Sequence, residues 1–324
     1  MTSSTIEGKD HHMSISVVIP AYNCAGSIRA LYERLSCQLA SMADNYEIIL
    51  VEDCGTDDSW KIISEIALFD PKVKAIQLRR NYGQHNAVLC GIRQAQYEII
   101  VTMDDDLQHP PEEIPCLLHA LNKNYDVVYG TSQKVSQNIW RKLASQITRI
   151  TLQSVMGYDV ARKVSAFRAF RREILEAFIN YYSPFVSIDV LLTWGTNRFS
   201  SVNVQHSKRA FGKSQYTFLK LVTYSLNMAT GYSVVPLQIA SLIGFVFTIF
   251  GICILSYILI SYLIRGSSVH GFTFLASIIA IFSGAQLFSL GIIGEYLARV
   301  HFKTMGKPSY VVRGDMRIIQ RGDS

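Results

Sequence analysis

Residues 101–115, VTMDDDLQHPPEEIP, decide how this chain is read. A β-rich apolar run beginning at Tyr97 enters three consecutive carboxylates and is then stopped by Gln108, His109 and two prolines. Adjacent aspartates repel one another, and no Lys or Arg lies within a helical turn of them. A cation supplied from outside relieves that repulsion. Hard oxygen ligands at a strand end suit Mg²⁺ or Mn²⁺, ions that share their coordination with substrate phosphates. Asp104 and Asp106 form a D-x-D pair, and Gln108 adds a neutral oxygen. Alone, the pair would also fit an acidic turn before a helix.

Outward from that stretch, short apolar runs alternate with helical patterns. Strands are predicted at Ile15–Pro20, Tyr46–Asp53, Val73–Leu78, Tyr97–Asp104 and Tyr125–Thr131. Helices are predicted from Ser27 to about Ala40, from Thr56 or Asp57 to Phe69, over Asn81–Ala95 and over Pro111–Lys123; a basic amphipathic helix follows at Ile139–Val155. This alternation predicts an α/β fold with a Rossmann-like, mainly parallel sheet flanked by helices. Ligands of such sheets bind beyond the carboxyl ends of the strands. The polar clusters Ala21–Cys24, Glu52–Asp57, Arg79–Gly83 and Asp104–Gln108 all fall there, so one ligand can touch all four. No G-x-G-x-x-G follows the first strand, which argues against a dinucleotide-dependent oxidoreductase.

The 324-residue chain changes character towards its end. Val234–Ile264 carries no charge, and Phe272–Leu297 carries only Glu295. Each exceeds the roughly 20 residues that cross a bilayer as a helix. The short linker between them predicts a transmembrane hairpin. Basic residues flank it on one side: Lys208, Arg209, Lys213 and Lys220 before, Arg299, Lys303, Lys307, Arg313, Arg317 and Arg321 after. The linker offers only Arg265 and His270, so both termini are expected in the cytoplasm. The net charge of +6 reads as membrane-proximal bias rather than a nucleic-acid footprint. The six cysteines show no metal-ligand or disulfide spacing. The expected organisation is a disordered leader (1–13), a catalytic domain (14–212), an amphipathic juxtamembrane segment (213–233), spans at 234–264 and 272–298, and a basic tail (299–324).

The blocks VVIPAYN, EIILVEDCGTDD, RRNYGQHNAVLCGI and DDDLQHPPEEIP, followed by WRKLAS, FRAFRR, FGKSQYTFLKL and GEYLAR, resemble inverting family 2 glycosyltransferases of the GT-A fold, in their polyprenyl-phosphate branch. The resemblance runs from Ser14 to Arg299 and is strongest towards the undecaprenyl-phosphate 4-deoxy-4-formamido-arabinose transferases. It implies an integral enzyme of a bacterial inner membrane that moves a sugar from a nucleotide-sugar, of UDP type in the bacterial members, to undecaprenyl or dolichyl phosphate. It also implies Mg²⁺ or Mn²⁺ as cofactor and a homo-oligomer, a tetramer in the family.

By the same resemblance Pro20, Tyr22, Val51 and Asp53 match positions that hold the base and ribose. Asp104, Asp105, Arg80 and Arg209 match donor-contacting positions, and Asp106 and Gln108 the metal ligands. Arg141 and Ser145, with Lys213, match the grip on the acceptor phosphate; Asp106, Arg141 and Ser145 are the expected catalytic set. The chain departs from the common pattern at Cys24 (often Glu), Glu52 (Asp), Asp105 (Ala), Ser165 (Asp) and Gln215 (Lys). A phosphate monoester is largely dianionic near neutral pH, its second pKa being about 6, so it needs cationic positioning more than a base; Arg and Lys between Lys134 and Lys213 fit that need. His85 and His109 are expected to fill helix-face or loop-capping roles. A processive polysaccharide synthase would carry a Q-x-x-R-W block and more spans, neither of which is visible. A non-catalytic nucleotide binder would not need the D-x-D with Gln108.

Overall fold

The computed structural model describes residues 13–131, 164–205, 235–265 and 272–315. The expected helix at Ile139–Val155, the juxtamembrane segment, and Arg141, Ser145, Arg209 and Lys213 lie outside them.

In chain order the first half runs β1 (Ser14–Ala21), α1 (Ile28–Met42), β2 (Asn45–Glu52), α2 (Ser59–Phe69), β3 (Val73–Leu78), α3 (Gln84–Gln94), β4 (Ile99–Thr102), α4 (Ile114–Leu121) and β5 (Val127–Thr131). Then come β6 (Arg168–Arg171), α5 (Ile188–Gly195), β7 (Phe199–Asn203), the long helices α6 (Val235–Arg265) and α7 (Phe272–Thr304), and β8 (Val312–Asp315). The sheet order is β7-β5-β6-β4-β1-β2-β3-β8. Strands β3, β2, β1 and β4 form a parallel block. Beyond it the sheet is mixed: β6 runs antiparallel between β4 and β5, and β7 lies parallel to β5. β6 starts at the end of the sheet where β5 finishes.

The period-2 alternation of the strands sorts side chains into two cores. Ile15, Val17, Ile19 and Ala21 of β1 join Ile48 and Leu50 of β2 against α1, α2 and α4. Val18, Ile49 and Val51 face α3 and α5 instead. Burial on both faces explains why these strands are continuous apolar runs. α3 comes unusually close to the sheet at Gly91, where a Cβ would stand 2.4 Å from Val18 Cγ1 and 3.1 Å from Val51 Cγ2. Only glycine fits without a shift.

α6 and α7 are long and apolar enough to cross a membrane. Mean hydropathy is 2.3 over Val235–Ile254 and 1.3 over Ile281–Thr304, and 6% and 0% of those windows are buried within the protein. A soluble core helix would hide such a surface. The two helices pack on each other through Phe247 and Phe282, whose rings meet edge to face at 5.7 Å. α7 extends past the expected span end at 298, to Thr304. Charges such as Arg299 and Lys303 limit insertion into lipid, whereas a helix stops where its backbone is capped. Here the stop is Gly306, at φ +63°, whose N–H bonds the Lys303 carbonyl at 3.2 Å, a left-handed terminus that favours glycine.

Candidate active site

Three of the four described non-glycine residues with positive φ lie just past the carboxyl ends of strands in the parallel block. They are Asn23 (φ 53°) after β1, Cys54 (φ 54°) after β2 and Leu107 (φ 59°) after β4. A left-handed backbone costs an L-residue roughly 1–2 kcal/mol, and such conformations cluster where function fixes the loop.

The loops are tied to one another by side chains. Asn23 Oδ1 accepts the Thr56 N–H at 2.8 Å. Asp57 accepts from the Ala25 N–H at 3.0 Å and from the Ser59 N–H, at the start of α2, at 3.1 Å. Ser59 Oγ in turn accepts the Cys24 N–H at 2.8 Å. Asp53, 2% exposed, accepts the backbone N–H groups of Tyr82 and Gly83 at 2.7 Å each. Burial pushes its carboxyl up to about 6, against the pull of those two bonds, with Glu52 adding repulsion. The side chain expected at the ribose therefore holds the β3–α3 loop. Next to it Glu52, 1% exposed, accepts the Gly55 N–H with Oε1, while its Oε2 is buried without a hydrogen-bond partner.

The three aspartates face three different donors. Asp104 Oδ1 accepts from Gln84 Nε2 at 2.5 Å, in the first turn of α3. Asp105 Oδ2 accepts the Tyr22 N–H at 3.1 Å, and Asp106 Oδ1 accepts the Gln108 N–H at 3.1 Å across the Leu107 turn. Burial holds the Asp105 carboxyl above its usual range even though the Tyr22 bond lowers it, and the Cys24 thiol bonds to it as well. Two of the departures noted in the sequence, Cys24 and Asp105, thus touch. Pro20 and Val51 are paired across β1 and β2 and buried; Tyr22 is 38% exposed just beyond them. Arg80 is exposed and lies 4.7 Å over the Tyr82 ring. The four polar clusters do meet at one end of the sheet.

The family profile described as glycosyl transferase family 2 matches residues 16–179. The chain belongs to that family. It is 35% identical over 303 residues to undecaprenyl-phosphate 4-deoxy-4-formamido-L-arabinose transferase of Proteus mirabilis, covering 92% of this chain and 93% of that protein. The Serratia proteamaculans protein of the same name is 35% identical over 304 residues, covering 92% and 93%. Among solved structures, glucosyl-3-phosphoglycerate synthase of Mycobacterium tuberculosis, in complex with Mn²⁺, UDP and glucosyl-3-phosphoglycerate, superposes with a TM-score of 0.51 at 19% identity, over 67% of this chain and 78% of that one. That likeness shows a shared GT-A-like fold.

In this family 2 glycosyltransferase one of the basic residues between Lys134 and Lys213 is held inside the protein. Arg168, 3% exposed, is paired with Asp189 and donates to Thr102 Oγ1 at 3.0 Å. Tyr129 donates to the same Asp189 at 3.2 Å. Its guanidinium is committed inside the protein, where it ties the end of β4 to α5, and is not offered to a phosphate. Nothing in FRAFRR signals this, because the partner stands 21 residues away. His85 lies beneath the same network. Burial pulls its imidazole below the usual range, and Nδ1 accepts the Ile188 N–H at 3.4 Å. His109 stacks on Phe167 at 5.3 Å.

Among the described residues no group of three or more His, Cys, Asp or Glu side chains gathers tightly enough to hold a metal by itself. What the acidic loop offers is the all-oxygen set of Asp104, Asp106 and Gln108. That set fits a hard cation bound by one or two carboxylates and completed by substrate phosphates and water. Gln84, absent from the sequence reading, fixes Asp104.

Proposed function

We propose that this family 2 glycosyltransferase moves a sugar from a nucleoside-diphosphate donor, of the UDP type, to a polyprenyl phosphate in the membrane, with inversion at the anomeric carbon. The observation that carries the proposal is the gathering of four polar loops around the Asp104–Gln108 turn, on a chain that also carries two long apolar helices. The full-length likeness to undecaprenyl-phosphate sugar transferases supports the acceptor class. The excess of Lys and Arg on one side of the hairpin supports a cytoplasmic catalytic domain with both termini on the same side.

Asp106 and Gln108, with Asp104, would hold Mg²⁺ or Mn²⁺. Such a cation, when bound, neutralises the donor diphosphate and stabilises the departing nucleotide. The protein's own groups do the rest. Tyr22 and Arg80 are exposed on the donor side, with Pro20 and Val51 buried in the strand ends beneath, and Asp53 fixes the loop that carries Arg80. Arg141, Ser145, Arg209 and Lys213 are assigned to the acceptor and donor phosphates. An acceptor phosphate oxygen forms the new bond to the anomeric carbon from the face opposite the breaking sugar–diphosphate bond. The electron pair of that bond leaves with the nucleotide. Because the acceptor is already ionised near neutral pH, no general base is required, in keeping with the internal commitments of His85 and His109.

The test is Asp106→Ala in purified full-length enzyme, with a short polyprenyl phosphate as acceptor and transfer of labelled sugar into organic solvent as readout. Transfer should fall about 100-fold or more while the melting profile is kept. Full activity of that variant in the presence of a chelator refutes the metal role.

A further inference from the structure

The chain beyond the second membrane helix was expected to be a basic tail. Within it, Ser309–Asp315 returns to the catalytic domain and adds a strand to its sheet. β8 adds to the outer edge of β3 in antiparallel register, with Ile76 opposite Asp315, Gln77 opposite Gly314 and Leu78 opposite Val312, and an irregularity at Gln77/Leu78. One residue further, the Arg79 N–H donates to the Val311 carbonyl at 2.9 Å. That bond lies at the mouth of the β3–α3 loop, which carries Arg80. The same loop is held from the other side by the Asp53 carboxylate at Tyr82 and Gly83. Its backbone is thus fixed at one end by Asp53, just past β2, and at the other by the tail.

The approach to β8 is itself clasped. Ser309, 2% exposed, donates to the Ser183 carbonyl at 2.7 Å and accepts the Ser183 N–H at 3.2 Å. Tyr310 accepts from Arg93 Nη1 at 3.4 Å, and the Arg93 guanidinium stands 5.6 Å over its ring. Above this clasp, the end of α7 grips the same loop: Phe302 meets the Phe185 ring at 6.4 Å, and Arg299 stands 4.6 Å over it. Pro184 of that loop accepts from Asn86 at 3.4 Å, two residues beyond the Gln84 that holds Asp104. The end of the membrane helix therefore reaches the donor side by two routes, through β8 to Arg79 and through the Ser183–Phe185 loop to the first turns of α3.

We propose that residues Ser309–Asp315 are a positioning element for the donor site, with Ser309 and Tyr310 as its anchors and the Val311 carbonyl as its contact with the Arg80 loop. The proposal rests on the donor-site reading given above. Held from two sides, the loop presents Arg80 in one place to a donor diphosphate. Released from β8, it keeps Arg80 but loses its aim.

The experiment uses the full chain in detergent and compares wild type with Ser309→Ala/Tyr310→Ala and with the conservative Tyr310→Phe. The first readout is limited trypsin cleavage after Arg79 and Arg80, which needs no nucleotide. The double variant should be cut at least about tenfold faster there, since cleavage follows the population of the locally open form, with other sites unaffected. The second readout is calorimetric binding of UDP with Mn²⁺. The double variant should bind about tenfold more weakly, Tyr310→Phe within about threefold of wild type. Equal cleavage of all three proteins at Arg79 and Arg80 overturns the proposal, as does unchanged UDP binding by a double variant whose loop has opened. A purely structural role would lower the melting temperature and the fraction of active protein but leave the affinity of the folded fraction unaltered, which also counts against it. If wild type itself fails to bind UDP with Mn²⁺ while the cleavage difference is present, the donor reading fails and the anchoring of the loop by the tail stands. Should the double variant not fold, Ser309→Ala alone is measured in its place, with the same outcomes deciding.

Discussion

Asp53 sets two opposing effects against each other on one side chain, and their balance can be measured. Burial disfavours its ionised form; two backbone N–H bonds favour it. The structure has burial winning, with the carboxyl at about 6 against an ordinary 3.8. Because the folded form binds its proton more tightly than the unfolded chain, ionisation works against folding. Stability is greatest with the group protonated below 3.8, and it falls as pH rises towards 6, after which the loss is constant. The difference between 3.8 and about 6 corresponds to about 3 kcal/mol above pH 7. Between pH 4.5 and 7.5 the change is about 2 kcal/mol. At this size that amounts to about 4–8 °C in melting temperature.

Asp53→Asn removes the titration while keeping one oxygen for Tyr82 or Gly83. The melting temperature of the variant minus that of wild type, measured in one detergent across that range, should therefore rise by about 4–8 °C towards higher pH. Taking the difference cancels the other carboxylates. A flat difference, or one that moves the opposite way, would mean that the two amide bonds outweigh desolvation, and the account of this site would be wrong.

Two further perturbations probe packing. Gly91→Ala places a methyl 2.4 Å from Val18 Cγ1 and should destabilise by about 1–3 kcal/mol; combined with Val18→Ala the losses should be less than additive, and strict additivity in thermal melts would show that α3 simply moves away. Asp189→Leu leaves Arg168 buried and unpaired, at about 3–5 kcal/mol. Arg168→Met/Asp189→Leu should recover most of that, and a double variant no more stable than the single one would show that the pair is not the source of the loss.

The central strands were legible because burial on two faces turns them into continuous apolar runs, bounded by the polar loops that make the site. β3 is found at its expected limits, Val73–Leu78. The outer strands were hidden for physical reasons. β6 has arginine at both ends because Arg168 is neutralised internally by a partner remote in sequence. β7, FSSVN, lies at the sheet edge with only its first residue buried. β8, VRGD, is short, half-exposed and separated from its partner β3 by both long apolar helices. At the site, the acidic turn announced itself by its charge, whereas its supports did not: Gln84 and Asn23 are ordinary polar residues until folding sets them against Asp104 and Thr56. That Asp53, matched by resemblance to the base and ribose positions, also holds a neighbouring loop was not legible either. Its two amide partners belong to a turn 29 and 30 residues later.

The place of β8 bears on how this enzyme can be handled. A chain cut before Val235 to obtain a water-soluble catalytic domain loses the cover of β3 together with its anchor. The bared strand would present unpaired amide and carbonyl groups along a hydrophobic rim, the kind of edge on which neighbouring molecules stack. Such a fragment should precipitate or self-associate, and supplying the lost strand as a peptide or fused segment is the natural remedy.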